Sequence, residues 1–213
     1  MSEDGDGARL GPFAVLDEAA RAASLEAALA RAPAGDGLWV FAYGSLIWDP
    51  CFVHDRRLVG RLPGHCRRFG IWTVLARGTP TQPGLGLGLE PGPGSCTGML
   101  FRLEAESRDE GLEALWEREM LTGVYDPRWL AVQTADGSIR ALTFVTDPKH
   151  PQYAGPRAPE ECAAIIARAR GKFGSCRDYL ANLVESLARM GAHDPELVAL
   201  LALVDDERSD GSD

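Results

Sequence analysis

The sequence predicts an α+β fold: one domain with a curled sheet or barrel at its centre and helices towards both ends of the chain. Three observations predict it. Short apolar, β-rich runs alternate with Gly- and Pro-rich turns through the middle of the sequence. Segments rich in Ala, Leu and Glu with helical periodicity lie on either side of that stretch. No linker between them is long enough to divide the 213 residues. A chain of this length buries most of what it would expose unfolded, so its core needs no disulfide or metal staple.

Taken in order, residues 1–13 are acidic and Gly-rich and are expected to be a disordered, solvating tail. The domain then spans 14–204, and a second acidic tail covers 205–213. Leu16 to Arg31 is a helix, ended by Pro33 and Gly35. Leu38 to Tyr43 is a short, buried strand that runs into Gly44-Ser45. Four more strand-like pieces follow: Arg57 to Leu62, Arg68 to Leu75, Leu85 to Glu90 and Thr97 to Leu103. Asp109 to Met120 reads as a helix. Trp129 to Thr134 and Ile139 to Thr146 flank Asp136-Gly137, a strong hairpin signal. After a polar loop from Asp147 to Pro159 the chain turns helical. Pro159 to Arg170 and Cys176 to Met190 form helices, and a short one starts at Pro195.

Charge and composition narrow the function. The net charge is -9, from 31 acidic against 22 basic residues, whereas nucleic acids and anionic membranes attract a positive field. An anionic small molecule remains compatible if a few arginines converge. No apolar run approaches the roughly 20 residues of a membrane span, and the acidic N-terminus has no apolar core of a signal peptide. The five cysteines are odd in number and form no CxxC pair, which fits a reducing cytoplasm.

Several residues are suited to chemistry. A strand ending abruptly in Gly44-Ser45 presents successive backbone N–H groups, a small nest for an anion or oxyanion. By itself such a Gly-Ser is usually a plain strand-to-turn transition. Leu112, Leu115, Trp116 and Glu119 fall at i, i+3, i+4 and i+7, so Glu119 takes a place where a leucine would normally face the interior. Desolvation there raises a carboxyl pKa and suits it to proton transfer near neutral pH. The alternative is a structural acid, paired with a buried arginine or capping the next loop. Glu117 points to the opposite, solvated side. Arg77 is suited to a bidentate grip on a carboxylate, or else to a surface ion pair. Tyr125 and Tyr153 carry hydroxyls for a pocket, or are half-buried core tyrosines.

Other chemistries fail on spacing. Gly84, Gly86 and Gly88 alternate as in a strand, and no GxGxxG or GxxxxGK[ST] string exists. Cys51, His54, His65 and Cys66 match no standard zinc spacing, and adjacent strand residues point to opposite faces. A GxSxG nucleophile elbow is absent.

Four blocks in order carry a resemblance. They are Trp39 to Pro50, which contains Tyr43-Gly44-Ser45-Leu46; Arg77 to Gly84; Leu115 to Tyr125; and Asp147 to Tyr153. Together they resemble the ChaC-type, glutathione-specific γ-glutamylcyclotransferases. The resemblance implies a small, closed or nearly closed mixed β-barrel surrounded by helices, with a pocket beside the Tyr43–Leu46 loop. It also implies glutathione as a small-molecule substrate, with no cofactor and no metal; charge and hydropathy already argue against a nucleic acid or a membrane as partner. The family's catalytic glutamate falls on Glu119, and Tyr125 matches a tyrosine after its Gly-containing turn. Arg77 and Tyr153 are carried as further substrate contacts. The implied reaction is attack of the γ-glutamyl α-amine on its own γ-carbonyl, giving 5-oxoproline and Cys-Gly. Relatives acting on other γ-glutamyl amino acids or amines, and a non-catalytic γ-glutamyl sensor, are the alternatives. The helix before Leu38 and the acidic ends lie outside the family pattern.

Overall fold

In the computed structural model, which describes residues 9–35 and 37–210, the centre of the molecule is a closed five-stranded barrel. The described chain opens with a hairpin of β1 (Arg9–Leu10) and β2 (Phe13–Ala14), followed by α1 (Glu18–Leu29). The barrel strands are β3 (Trp39–Ala42), β4 (His54–Thr73), β5 (Gly84–Leu103), β6 (Tyr125–Thr134) and β7 (Gly137–Thr146). A single 3-10 turn, Ser45–Ile47, follows β3, and α2 (Arg108–Glu119) precedes β6. Then come α3 (Pro159–Arg168), a hairpin of β8 (Arg170–Gly171) and β9 (Gly174–Ser175), α4 (Cys176–Arg189) and α5 (Pro195–Asp210). Around the barrel the order is β3-β5-β4-β6-β7. The sheet is mixed because β7 closes parallel onto β3, with Val40 opposite Leu142, while the other pairs are antiparallel.

The apolar run of β3 is explained by burial on both faces. Trp39, Phe41 and Tyr43 join a cluster with residues of α3, α4 and α5. Val40 and Ala42, pointing the other way, pack with Leu112, Leu115 and Trp116 of α2. Alternation along one strand thus joins the barrel to helices on two sides.

The four strand pieces expected between Arg57 and Leu103 are two continuous strands of 20 residues each. The Gly and Pro residues at 63–64 and 91–94 bend this ribbon instead of ending it. A register shift between Pro63 and His65 absorbs the interruption, and Gly64 there adopts φ +69°. Asp136-Gly137 does make the expected hairpin, with Thr134 opposite Gly137.

Two indole N–H groups tie α1 to its neighbours. Trp116 donates to the Ser24 hydroxyl at 3.3 Å, and Trp129 donates to the Ala28 carbonyl at 2.8 Å. Of the expected tails, residues 1–8 and 211–213 lie outside the described residues. Residues 9–13 enter the first hairpin, because Phe13 is buried. At the other end α5 is longer than expected and runs through Asp205. Arg177 of α4 donates to both oxygens of the Asp205 carboxylate, at 2.8 and 3.0 Å, so this acid serves in packing two helices. Among the described residues, no helix is long and apolar enough to cross a membrane.

Candidate active site

Glu119 is the last residue of α2, where the helix has brought Leu112, Leu115 and Trp116 into the core. Its side chain remains 15% exposed, because it borders a cavity of about 680 Å³. Desolvation holds the carboxyl pKa above its ordinary range, and the neighbouring Arg118 guanidinium, 3.6 Å away, partly opposes the rise. The C-terminal end of a helix also disfavours a negative charge.

Arg118 connects α2 to the turn after β3. It donates to the Ser45 hydroxyl at 2.9 Å, to the Asp49 carbonyl at 2.7 Å and to the Asp49 carboxylate at 3.2 Å. Gly44 is closely approached: an added Cβ would stand 3.0 Å from the Tyr179 hydroxyl and 3.4 Å from the Leu87 side chain. Ser45–Ile47 form a 3-10 turn, and the first N–H groups of such a turn have no acceptor within it.

Three tyrosines stand around the carboxyl. Tyr43 donates to the Phe144 carbonyl at 2.8 Å, and Tyr125 donates to the Leu87 carbonyl at 3.0 Å. Tyr179, from α4, has its hydroxyl against the backbone and side chain of Ser45. Burial raises all three phenol pKa values, with Glu119 adding to the effect, so the hydroxyls stay protonated. A smaller recess lined by Tyr43, Gly44 and Leu46 shares Glu119, Tyr125 and Tyr179 with the main cavity. Leu46 itself is buried, in the cluster that includes α2 residues.

Arg77 also lines the main cavity, with its guanidinium 5.5 Å from the centre of the Tyr179 ring and a hydrogen bond to the Phe173 carbonyl. Tyr153 does not line the cavity. It bridges to Ile71 on β4, and its hydroxyl faces Glu90. Its neighbour Gln152 lines the cavity instead, because successive residues of an extended segment point to opposite sides. Gln152 accepts from the Thr122 hydroxyl and donates to the Trp72 carbonyl at 2.7 Å, while His150 bonds the Thr122 carbonyl at 2.9 Å. The block Asp147 to Tyr153 therefore holds the turn between Glu119 and Tyr125.

Sequence reasoning missed Arg118, Gln152 and Tyr179. Tyr179 sits beside the Cys176, Leu180, Leu183 and Leu187 stripe of α4 and looks like one more core aromatic. Arg118 was visible only as the neighbour of Glu119. Among the described residues no three His, Cys, Asp or Glu side chains are grouped as metal ligands.

Residues 38–207 match the family described as ChaC-like protein. The chain belongs to the ChaC-like family. This ChaC-like chain is 40% identical over 185 residues to the glutathione-specific γ-glutamylcyclotransferase of Escherichia coli K12, covering 86% of this chain and 80% of that protein. It is 32% identical over 185 residues to the human glutathione-specific γ-glutamylcyclotransferase 1, covering 82% and 83%. These relatives are enzymes. A crystal structure of a yeast γ-glutamyl cyclotransferase specific to glutathione has the same fold, with a TM-score of 0.76 at 24% identity. That alignment covers 84% of the ChaC-like chain and 100% of the yeast one. The hairpin β1–β2 and α1 precede the matched region, yet Leu10 reaches the rim of the cavity.

Proposed function

We propose that this chain is a glutathione-specific γ-glutamylcyclotransferase that converts glutathione to 5-oxoproline and Cys-Gly. The names of its relatives support the substrate. The observation that carries the chemistry is the Glu119 carboxyl, its pKa raised by desolvation, on the wall of a cavity beside protonated tyrosines.

In this reading the nucleophile is the substrate's own α-amine. Glu119, as carboxylate, takes a proton from the ammonium, and the freed nitrogen attacks the γ-carbonyl carbon. The tetrahedral centre collapses as Glu119 gives that proton to the cysteine nitrogen and the bond to it breaks. The carboxylate so restored takes the second proton from the ring nitrogen, leaving the neutral lactam of 5-oxoproline, and the released Cys-Gly amine receives it. One carboxyl with a raised pKa serves both steps. The Tyr43–Leu46 segment and Arg77 contribute by holding the γ-glutamyl group folded for attack, an orientation effect of several kcal/mol, on the order of 7 for a well-aligned pair. A cavity of about 680 Å³ leaves room for the Cys-Gly half as well. The cytoplasm is taken as the compartment, a view supported by five cysteines that are all free thiols.

The test is incubation of the pure chain with glutathione in the presence of a chelator, with products followed by mass spectrometry. Equal amounts of 5-oxoproline and Cys-Gly are expected. Turnover of γ-glutamyl-alanine or a γ-glutamylamine in preference to glutathione would overturn the substrate assignment. Release of glutamate in place of 5-oxoproline would overturn the cyclisation.

A further inference from the structure

The three tyrosines at the site are wired differently. Tyr43 and Tyr125 give their hydroxyl protons to main-chain carbonyls of the barrel, Phe144 and Leu87. Each of these tyrosines is thereby tied to a strand. Tyr179 reaches the same place from α4, and its ring is held on several sides. Trp48 and Phe69 meet it edge-on, at 5.5 and 6.0 Å between centroids, and the Arg77 guanidinium lies 5.5 Å over it. Its hydroxyl is close enough to Gly44 that a Cβ there would come to 3.0 Å.

Among the hydrogen bonds of the described residues, none ties the Tyr179 hydroxyl to a main-chain carbonyl as Tyr43 and Tyr125 are tied. Ser45 lies beside its oxygen, and the Ser45 hydroxyl is the acceptor for Arg118 at 2.9 Å. Tyr179 lines both the main cavity and the recess beneath the turn, together with Glu119.

We propose that the Tyr179 hydroxyl is the direct hydrogen-bond donor to the substrate's γ-carbonyl oxygen as that oxygen gains charge. This inference rests on the cyclotransferase reading and sharpens it. As the amine attacks, the carbonyl π pair moves onto oxygen. The Tyr179 O–H bond shortens its contact with that oxyanion without transferring its proton, because burial keeps the phenol a weak acid. Arg77, stacked on the ring, positions the hydroxyl.

The experiment is a kinetic comparison on the full chain with glutathione. Tyr179→Phe keeps the ring contacts and removes only the donor. It is expected to lower kcat on the order of 10²-fold, as loss of one oxyanion donor does, with KM within a few-fold. A Tyr179→Phe protein with kcat within about threefold of the parent would overturn the proposal. If the parent itself releases no 5-oxoproline, it is the cyclotransferase reading that fails, a result separate from an active Tyr179→Phe.

Discussion

Arg118 donates to the Ser45 hydroxyl at 2.9 Å, joining the end of α2 to the turn that ends β3. The carboxyl and the turn thus share one anchor, and a change at either end is felt at the other. Arg118→Met is expected to move the acid limb of the kcat/KM profile to higher pH. Its guanidinium holds the Glu119 pKa down, so its loss lets desolvation raise that pKa further. A pH–rate profile that does not move would show that Arg118 does not influence the titrating group.

Glu119→Gln is expected to reduce turnover on the order of 10³-fold, within the range of a lost acid/base group. In the parent, the base form is lost as pH falls through the raised pKa of Glu119, so the acid limb lies above that of an ordinary carboxylate.

The same residue carries a stability prediction of opposite sign. A carboxyl whose pKa is higher folded than unfolded favours the folded state only while protonated. Its ionisation destabilises the fold as pH rises from the unfolded value through the folded one. Glu119→Gln is therefore expected to melt at a higher temperature than the parent at neutral pH. Calorimetry should show the two converging at acidic pH, and a lower Tm for Glu119→Gln at pH 7 would contradict the desolvation account.

Gly98→Ala is expected to destabilise the barrel by about 3 kcal/mol, at the upper end of overpacking effects. A Cβ there would stand 2.3 Å from the Ala42 carbonyl and 2.8 Å from the Phe41 ring, where β5 passes β3. Gly35→Ala, with nothing within 4 Å, is the control. Urea unfolding midpoints for the two should differ clearly.

Gln152→Leu retains much of the side-chain bulk but leaves the Trp72 carbonyl and Thr122 hydroxyl unsatisfied in a buried place. About 2 kcal/mol of stability should be lost, measurable by the same urea titration. An unchanged midpoint would mean that water replaces the amide.

The helix carrying Glu119 was readable because a charged residue interrupts an apolar stripe, a one-dimensional pattern that survives in any packing. The end of β3 was readable for a similar reason, since an apolar run stops at Gly-Ser. The bent β4–β5 ribbon was not. Pro63 and the Gly-Pro residues at 91–94 are local turn signals, and only pairing along the whole ribbon, with a register shift to absorb them, keeps both strands continuous. Asp205 was taken for tail because its charge suggested solvation, and its partner Arg177 lies on another helix.

Local pattern, then, determined that the helices exist, where β3 ends and that a carboxyl faces inwards, and ordered blocks determined the family resemblance. Tertiary structure alone decided that Gln152 and not Tyr153 borders the cavity, and that Arg118, Ser45 and Tyr179 meet there. These three come from α2, the turn after β3, and α4, far apart in sequence. Hydrogen bonding depends on distances of about 3 Å between atoms, and no periodicity along a chain encodes which distant side chains the barrel's closure will bring that near.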